Sequence, residues 1–343
     1  MTCYDYSMIQ FVSVDSMISL IKKRGVGDLT IQIARAIEDD FKRWDDFDKQ
    51  PRIATHSALG VIELMPTSDA ETYGFKYVNG HPSNFSLGKQ TVTGFGVLAD
   101  VETGYPFFMA EMTILTAIRT AAMSALAAKY LARDSSKVMA MIGTGCQAEF
   151  QAHAFKALMG ITDLRIYDLD DAAMDKFERN MEGQGFTITR CADTPGAVKR
   201  ADIITTCTAD KKNAKILTEN MVGQGIHINA IGGDCPGKTE LEKSILLKSD
   251  IFVEYAEQTW IEGEIQQLNK DHSITEIWRV FDGQSDGRQS EGQITVFDSV
   301  GFAIEDFSAL RAIYAMTKDT DFTENLDLLA LPDDPKDLFG LTR

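Results

Sequence analysis

The chain has 343 residues, 44% hydrophobic and 25% charged, which is ordinary for a globular protein and enough for two domains. A formal net charge of −17 argues against a nucleic-acid partner, since such binders carry a basic patch. The five cysteines (Cys3, Cys146, Cys191, Cys207 and Cys235) show no CxxC pair and no zinc spacing, so no metal is implied and reduced thiols in the cytoplasm are expected.

The first eleven residues lack the basic start and apolar core of a secretory leader. Ile31 to Trp44 has helical periodicity with a polar face. Ser57 to Met65 and Tyr73 to Val78 read as strands. Gln90 to Asp100 and Tyr105 to Glu111 flank Val101-Glu102-Thr103-Gly104, a hairpin signal. Met112 to Leu131 is the longest apolar stretch. Its Arg119, Lys129 and many alanines mark a buried helix and not a membrane span.

The pattern changes at Ser135-Ser136-Lys137. Apolar strands then alternate with helices: strands at Val138–Ile142, Leu164–Tyr167, Thr187–Cys191, Ile203–Cys207, Ile226–Ile231, Ile251–Tyr255 and Ile294–Phe297. One helix is expected to open at Thr239-Glu240, and the last to run from about Gly301 to Met316. This is the signature of an α/β fold with a Rossmann-type doubly wound parallel sheet, here joined to an α+β domain. The expected division is residues 135–317 for the nucleotide-binding domain and residues 1–134 with 318–343 for substrate binding and dimerisation.

Gly143-Thr144-Gly145-Cys146-Gln147-Ala148 follows the first strand of the second region and opens a helix, a G-x-G-x-x-A pattern. Gly143 permits the tight turn, Gly145 lets a pyrophosphate approach the backbone, and Ala148 lets helix and strand pack closely. Asp168 ends the next strand. An acidic residue there suits ribose hydroxyls and repels a 2′-phosphate, so NAD is expected over NADP.

Ligands of doubly wound sheets bind beyond the C-terminal strand ends. Thr206, Thr208, Asp234, Ser299 and Val300 lie there, and Asp234, the only ionisable side chain directly at the end of its strand, supplies a carboxylate suited to proton transfer beside a hydride acceptor. The local sequence alone favours an Asx turn for Asp234. Gly232 and Gly233 before it are expected to turn the chain without obstructing the nicotinamide. Lys238 reads as a surface charge near the next helix or as a further substrate contact. Arg52, Glu63, Lys76 and Arg119 stand in apolar or β-patterned segments, where a charge is costly unless paired. Each alone reads as a structural ion pair. Together they suit a small zwitterion: the cations would fix a carboxylate, and Glu63 and Asp234 would face amines.

These residues sit in stretches such as GVIELMP, FKYVNGHP, FGVLADVETGYP, RTAAMSALAAKYLAR, IGTGCQAEFQA, HINAIGGDCPGKTEL, EGEIQQL and VFDSVGFAIED. Through them nearly the whole chain resembles the ornithine cyclodeaminase/μ-crystallin family, with FKYVNGHP and GGDCPGKTEL closest to its ornithine cyclodeaminase branch. The resemblance implies substrate contacts at Arg52, Lys76, Arg119, Asp234 and Val300, with Asp234 as proton donor and acceptor. It implies NAD contacts at Thr91, Cys146, Gln147, Asp168, Thr208, Ile228, Asn229, Ala230, Ile231 and Ser299. It further implies a homodimer joined through the N-terminal domain, and conversion of L-ornithine to L-proline and ammonia. A ketimine reductase, an amino-acid dehydrogenase and a μ-crystallin-like binding protein are the alternatives within the family.

Overall fold

The computed structural model describes residues 8–209 and 215–343; Cys3 lies outside them. The chain begins with β1 (Ile9–Val12), α1 (Val14–Arg24) and α2 (Val26–Lys42). It continues through β2 (Ile53–His56), β3 (Val61–Ser68), β4 (Thr72–Gly80), β5 (Val92–Asp100), β6 (Pro106–Glu111) and α3 (Thr113–Leu131). The alternating part follows: β7 (Val138–Ile142), α4 (Ala148–Met159), β8 (Asp163–Tyr167), α5 (Asp171–Met181), β9 (Thr187–Arg190), α6 (Thr194–Val198), β10 (Ile203–Thr206) and β11 (His227–Ala230). Then come α7 (Lys243–Leu246), β12 (Asp250–Val253), α8 (Ala256–Glu262), β13 (Thr275–Glu276), α9 (Trp278–Phe281), β14 (Thr295–Asp298), α10 (Ala303–Thr317) and β15 (Glu324–Leu326).

Two sheets result. The second runs β13-β12-β14-β11-β10-β7-β8-β9, parallel throughout, so the strand order reverses between β7 and β10. Its central strands β10, β11 and β14 are buried at every position, as a sheet covered on both faces requires. The first sheet runs β15-β1-β6-β5-β4-β3-β2 and is antiparallel except between β1 and β6. The tail returns to it, since β15 pairs with β1.

Period-2 alternation divides the residues of β4 between its two faces. Gly74, Lys76 and Val78 are buried, on the face that α10 packs against, while Tyr73, Phe75 and Tyr77 face outward. The helix α3 is buried along most of its length, Arg119 included, and joins the two halves by packing on α2, α4, α10, β11 and β14.

Two expectations change. The helix expected to open at Thr239-Glu240 is reduced to α7. Residues around Leu241 instead lie extended beside Leu217, because the Glu240 carbonyl accepts from the N–H groups of Ile216 (2.8 Å) and Leu217 (3.2 Å). The last strand includes Asp298, so Asp234 is not alone as an ionisable group at a strand end.

Candidate active site

At the reversal point the turn after β7 meets the end of β10. Gly143 has φ +98°, and a Cβ there would lie 2.7 Å from the Cys207 carbonyl oxygen, so only glycine serves. Above Gly145 a Cβ would meet nothing within 4 Å, which leaves the loop open to a ligand. Among the described residues the N–H groups of Gly145, Cys146 and Gln147 have no acceptor. They stand at the start of α4, twelve residues long, where the helix dipole favours an anion. Asp168 accepts the Thr144 N–H at 2.6 Å and the Asp170 N–H at 3.0 Å, which fixes its carboxylate beside the loop. Orphaned donors at a helix start, open space and a carboxylate at the end of the next strand fit a dinucleotide with free ribose hydroxyls.

Beyond β11 the chain enters the loop that carries Asp234. A Cβ on Gly232 would overlap the Glu240 carboxylate, and one on Gly233 would lie 2.5 Å from Glu264 Oε1. The two glycines therefore admit buried carboxylates behind the loop. Glu240 accepts from the Thr208 N–H (3.1 Å) and hydroxyl, and Glu264 accepts the Glu240 N–H at 2.6 Å and the Leu241 N–H at 3.1 Å. Asp234 itself has a side chain 54% exposed, paired with Lys238 Nζ at 3.3 Å. An Asx turn would need the N–H of residue 236, and Pro236 has none. Lys238 is buried, contrary to the reading of it as a surface charge. Its ammonium also donates to the Thr208 carbonyl at 3.0 Å and so links the Asp234 loop to the end of β10. Burial disfavours that ammonium, but Asp234 and Glu240 outweigh it and hold its pKa above the ordinary lysine value.

The charged residues of the first sheet and α3 come together beneath this loop. Arg52 donates to Glu63 Oε2 at 3.1 Å and to the carbonyls of Val300 (2.5 Å) and Gly301 (2.8 Å). Its Nε lies 3.1 Å from Glu262 Oε2, without hydrogen-bond alignment. Lys76 donates to Asp306 Oδ1 at 2.8 Å. Arg119 donates to Glu305 Oε2 at 2.7 Å, and its Nε stands 2.8 Å from the same Asp306 oxygen, again without alignment. All seven side chains are more than nine-tenths buried. Burial, reinforced by Arg119 and opposed by Asp306, lowers the Lys76 pKa to about 8. Burial lifts Glu305 to about 8, against the pull of Arg119 and with the repulsion of Glu254 and Asp306.

The cluster is electrically polarised. Lys76 and Arg119 share one oxygen of Asp306, and Glu305 is a weak acid, so that end has cationic capacity for another carboxylate. Around Arg52 stand Glu63 and Glu262, with the charge of Asp234 in reach, so the other end has a surplus of acidic groups. A zwitterion with an additional amine matches both ends.

Two further carboxylates hold the strand-end loops. Asp298 accepts the N–H groups of Glu264 and Ile265, each at 2.9 Å, and burial lifts it to about 7. Glu254 accepts from the Ser299 hydroxyl at 2.5 Å and from the N–H groups of Val300 (3.3 Å) and Gly301 (3.2 Å). Ser299 and Val300 are thereby fixed at the end of β14. Ile228, Asn229 and Ala230 are completely buried within β11, and the Asn229 side chain points to Gln151 and Thr205, whereas Ile231 just beyond the strand is partly exposed. Thr91 lies before β5, where its carbonyl accepts the His81 N–H at 2.9 Å; no described contact joins it to the glycine loop. Reading the sequence overlooked Glu262, Glu305 and Asp306. The signal was there: all three are acids inside apolar runs, the criterion that marked Arg52, Lys76 and Arg119.

A family profile described as ornithine cyclodeaminase/mu-crystallin matches residues 14–321. The chain belongs to that family. It is 59% identical over 335 residues to the ornithine cyclodeaminase of Agrobacterium fabrum, covering 98% of this chain and 95% of that protein. Among solved structures, a lysine cyclodeaminase with L-lysine, L-ornithine or L-2,4-diaminobutyric acid as its recognised ligands superposes with a TM-score of 0.90 at 27% identity, over 96% of this chain and 98% of that one. An archaeal alanine dehydrogenase dimer with bound NAD gives a TM-score of 0.84 at 31% identity, over 94% and 100%.

Proposed function

We infer that this protein is an NAD-dependent ornithine cyclodeaminase, which turns L-ornithine into L-proline and ammonia. The polarised buried cluster carries the reading: one end suits a carboxylate and the other amines, directly below the carboxylate of Asp234. NAD⁺ bound along the Gly143–Ala148 loop supplies a hydride acceptor that later returns the hydride, so the reaction has no net redox change.

The chain's own residues do the rest. Lys76 and Arg119 hold the substrate carboxylate, while Arg52, flanked by Glu63 and Glu262 and donating to the Val300 carbonyl, stands at the amine end. Asp234 accepts the proton of the α-amine as the Cα hydride leaves, since both must depart from adjacent atoms. Lys238 holds Asp234 in position and ties it to Thr208. The δ-amine, kept near Cα by the folded chain of the substrate, attacks the imine carbon and ammonia leaves. The cyclic imine would become L-proline on return of the hydride together with the proton that Asp234 holds. Glu63 faces an amine. Thr91, Cys146, Gln147, Asp168, Thr208, Ile231 and Ser299 line the cofactor path in this reading, with residues 135–317 as its domain and residues 1–134 with 318–343 as the substrate-binding and dimerisation part.

The deciding assay follows ammonia, proline and NADH absorbance with ornithine as substrate. Proline and ammonia should form in equal amounts while NADH absorbance stays flat. Stoichiometric NADH change would identify a dehydrogenase or ketimine reductase, and no turnover a binding protein.

Two copies pair, in the same reading, through the outer face of the first sheet. Ile53, Leu64, Tyr77 and Phe95 stand in register across four strands there, and Tyr77 stacks on Phe95 with centroids 5.2 Å apart. An exposed apolar row of this kind marks an interface, and the archaeal relative was solved as a dimer. The four cysteines among the described residues form no disulfide, which favours the reducing cytoplasm.

A further inference from the structure

Glu262 is the most unusual carboxylate of the cluster. It is the last residue of α8, where the helix dipole opposes a negative charge, so it does not serve the helix. It is 4% exposed. Its Oε2 has no hydrogen-bond partner, although Arg52 Nε lies 3.1 Å away, because the guanidinium is aligned on Glu63, Val300 and Gly301 instead. The backbone that carries it is fixed: Asp298 accepts the two N–H groups that follow Gly263, and a Cβ on Gly263 would lie 2.6 Å from Asp298 Oδ2. A rigidly placed, buried carboxylate oxygen with an ionic neighbour but no hydrogen bond needs a donor to offset its desolvation.

The charge balance says what kind of donor. The groups facing Glu262 are Arg52 before β2, Glu63 on β3 and Asp234 in the loop after β11. That is three acids and one cation, and the Lys238 ammonium paired with Asp234 makes a second cation. Burial raises the Glu262 carboxyl to about 7; Arg52 opposes the rise, and Glu63 and Asp234 add to it. One more cation would complete the site, because the single charge of Arg52 is shared between Glu63 and Glu262.

We propose that Glu262 receives the distal ammonium of the substrate on its Oε2 and so selects diamino acids over monoamino acids. The inference rests on the cyclodeaminase reading. Glu63 on the other side of Arg52 and Glu262 on this side then bracket the amine-binding end, while Lys76 and Arg119 define the carboxylate end.

The test compares ligands with and without the distal amine, in the NAD-loaded full chain. In wild type, L-ornithine turnover gives KM and kcat, and L-norvaline and L-proline give competitive inhibition constants. Absent ornithine turnover in wild type removes the cyclodeaminase reading itself. With turnover present, Glu262→Gln should raise the ornithine KM about 10- to 100-fold, the worth of one hydrogen bond to a charged group. The inhibition constants of norvaline and proline should stay within about twofold, since neither reaches Glu262. Glu262→Asp keeps the charge and should lose less than Glu262→Gln. Retained NAD binding reports that each variant is folded. Equal losses for ornithine, norvaline and proline would make Glu262 only a support for Arg52 and overturn the proposal, as would equal behaviour of the Asp and Gln variants.

Discussion

Asp234 and Lys76 illustrate how one residue's role depends on what surrounds it. Asp234 is partly exposed and held by a buried lysine, so its removal disturbs little packing. Asp234→Asn should bind NAD normally, keep its thermal midpoint and lose roughly 10²- to 10⁴-fold in turnover, the range of a general base. Wild-type-like turnover in that variant would remove Asp234 from the mechanism. Lys76 is the opposite case, a cation with no exposed surface to speak of, and its pKa falls to about 8 through burial and Arg119, against the attraction of Asp306. A substrate carboxylate binds the protonated form. As pH rises through about 8 that form disappears, so the inhibition constant for L-proline should climb above this pH and be level below it. Arg52 and Arg119, the other cations of the cluster, stay charged throughout. An inhibition constant level through a full pH unit above 8 would mean that Lys76 does not hold the carboxylate.

Loops at the strand ends are the elements that build the site, and buried carboxylates hold them. Buried backbone N–H groups must find acceptors, and Glu240, Glu254, Glu264 and Asp298 supply them. Glu240 is the link between two loops, because it accepts from Thr208 and lies against Gly232. Gly232→Ala would push that carboxylate off Thr208. The expected cost is about 1–3 kcal/mol from overpacking, together with weaker NAD binding as the end of β10 is released. A thermal melt and an NAD titration measure both, and an unchanged melt with unchanged affinity would show that the loops are not coupled through Glu240. Lys76 and Glu63 owe their burial to the alternation of β3 and β4, which turns them toward α10 and turns Tyr73, Phe75 and Tyr77 outward.

Across the whole molecule that alternation has a second consequence. The aromatic face of β4 and its neighbours is left without a partner inside the described chain, while the charged face is the one buried. Leu64 is 42% exposed, so a charge there costs a single subunit little. Leu64→Glu should leave the fold intact, by circular dichroism, and convert a dimer to a monomer in light scattering. A wild-type monomer, or a variant that remains dimeric, would place the interface elsewhere or exclude it. Because the cationic and acidic ends of the site both draw on the sheet that carries this face, loss of pairing should also lower turnover.

The sequence by itself determined the parallel sheet, the glycine loop with Asp168, and the set Arg52, Lys76, Arg119 and Asp234 as the charges worth attention. These are local properties: strand and helix periods, a turn that only glycine can make at Gly143, and charges set in apolar runs. It also left traces of what was overlooked, in the acids of EGEIQQL and VFDSVGFAIED. Only the tertiary structure decided which charges meet. Arg52 and Glu262 stand 210 residues apart in the chain, and Lys76 and Asp306 stand 230 apart, yet each pair lies within 3.1 Å. The pairing depends on two sheets and α10 closing over one space, where burial raises or lowers each group's proton affinity according to its neighbours. It also separates the exposed carboxylate of Asp234 from the buried ones that merely hold loops, a difference that the letters D and E do not carry.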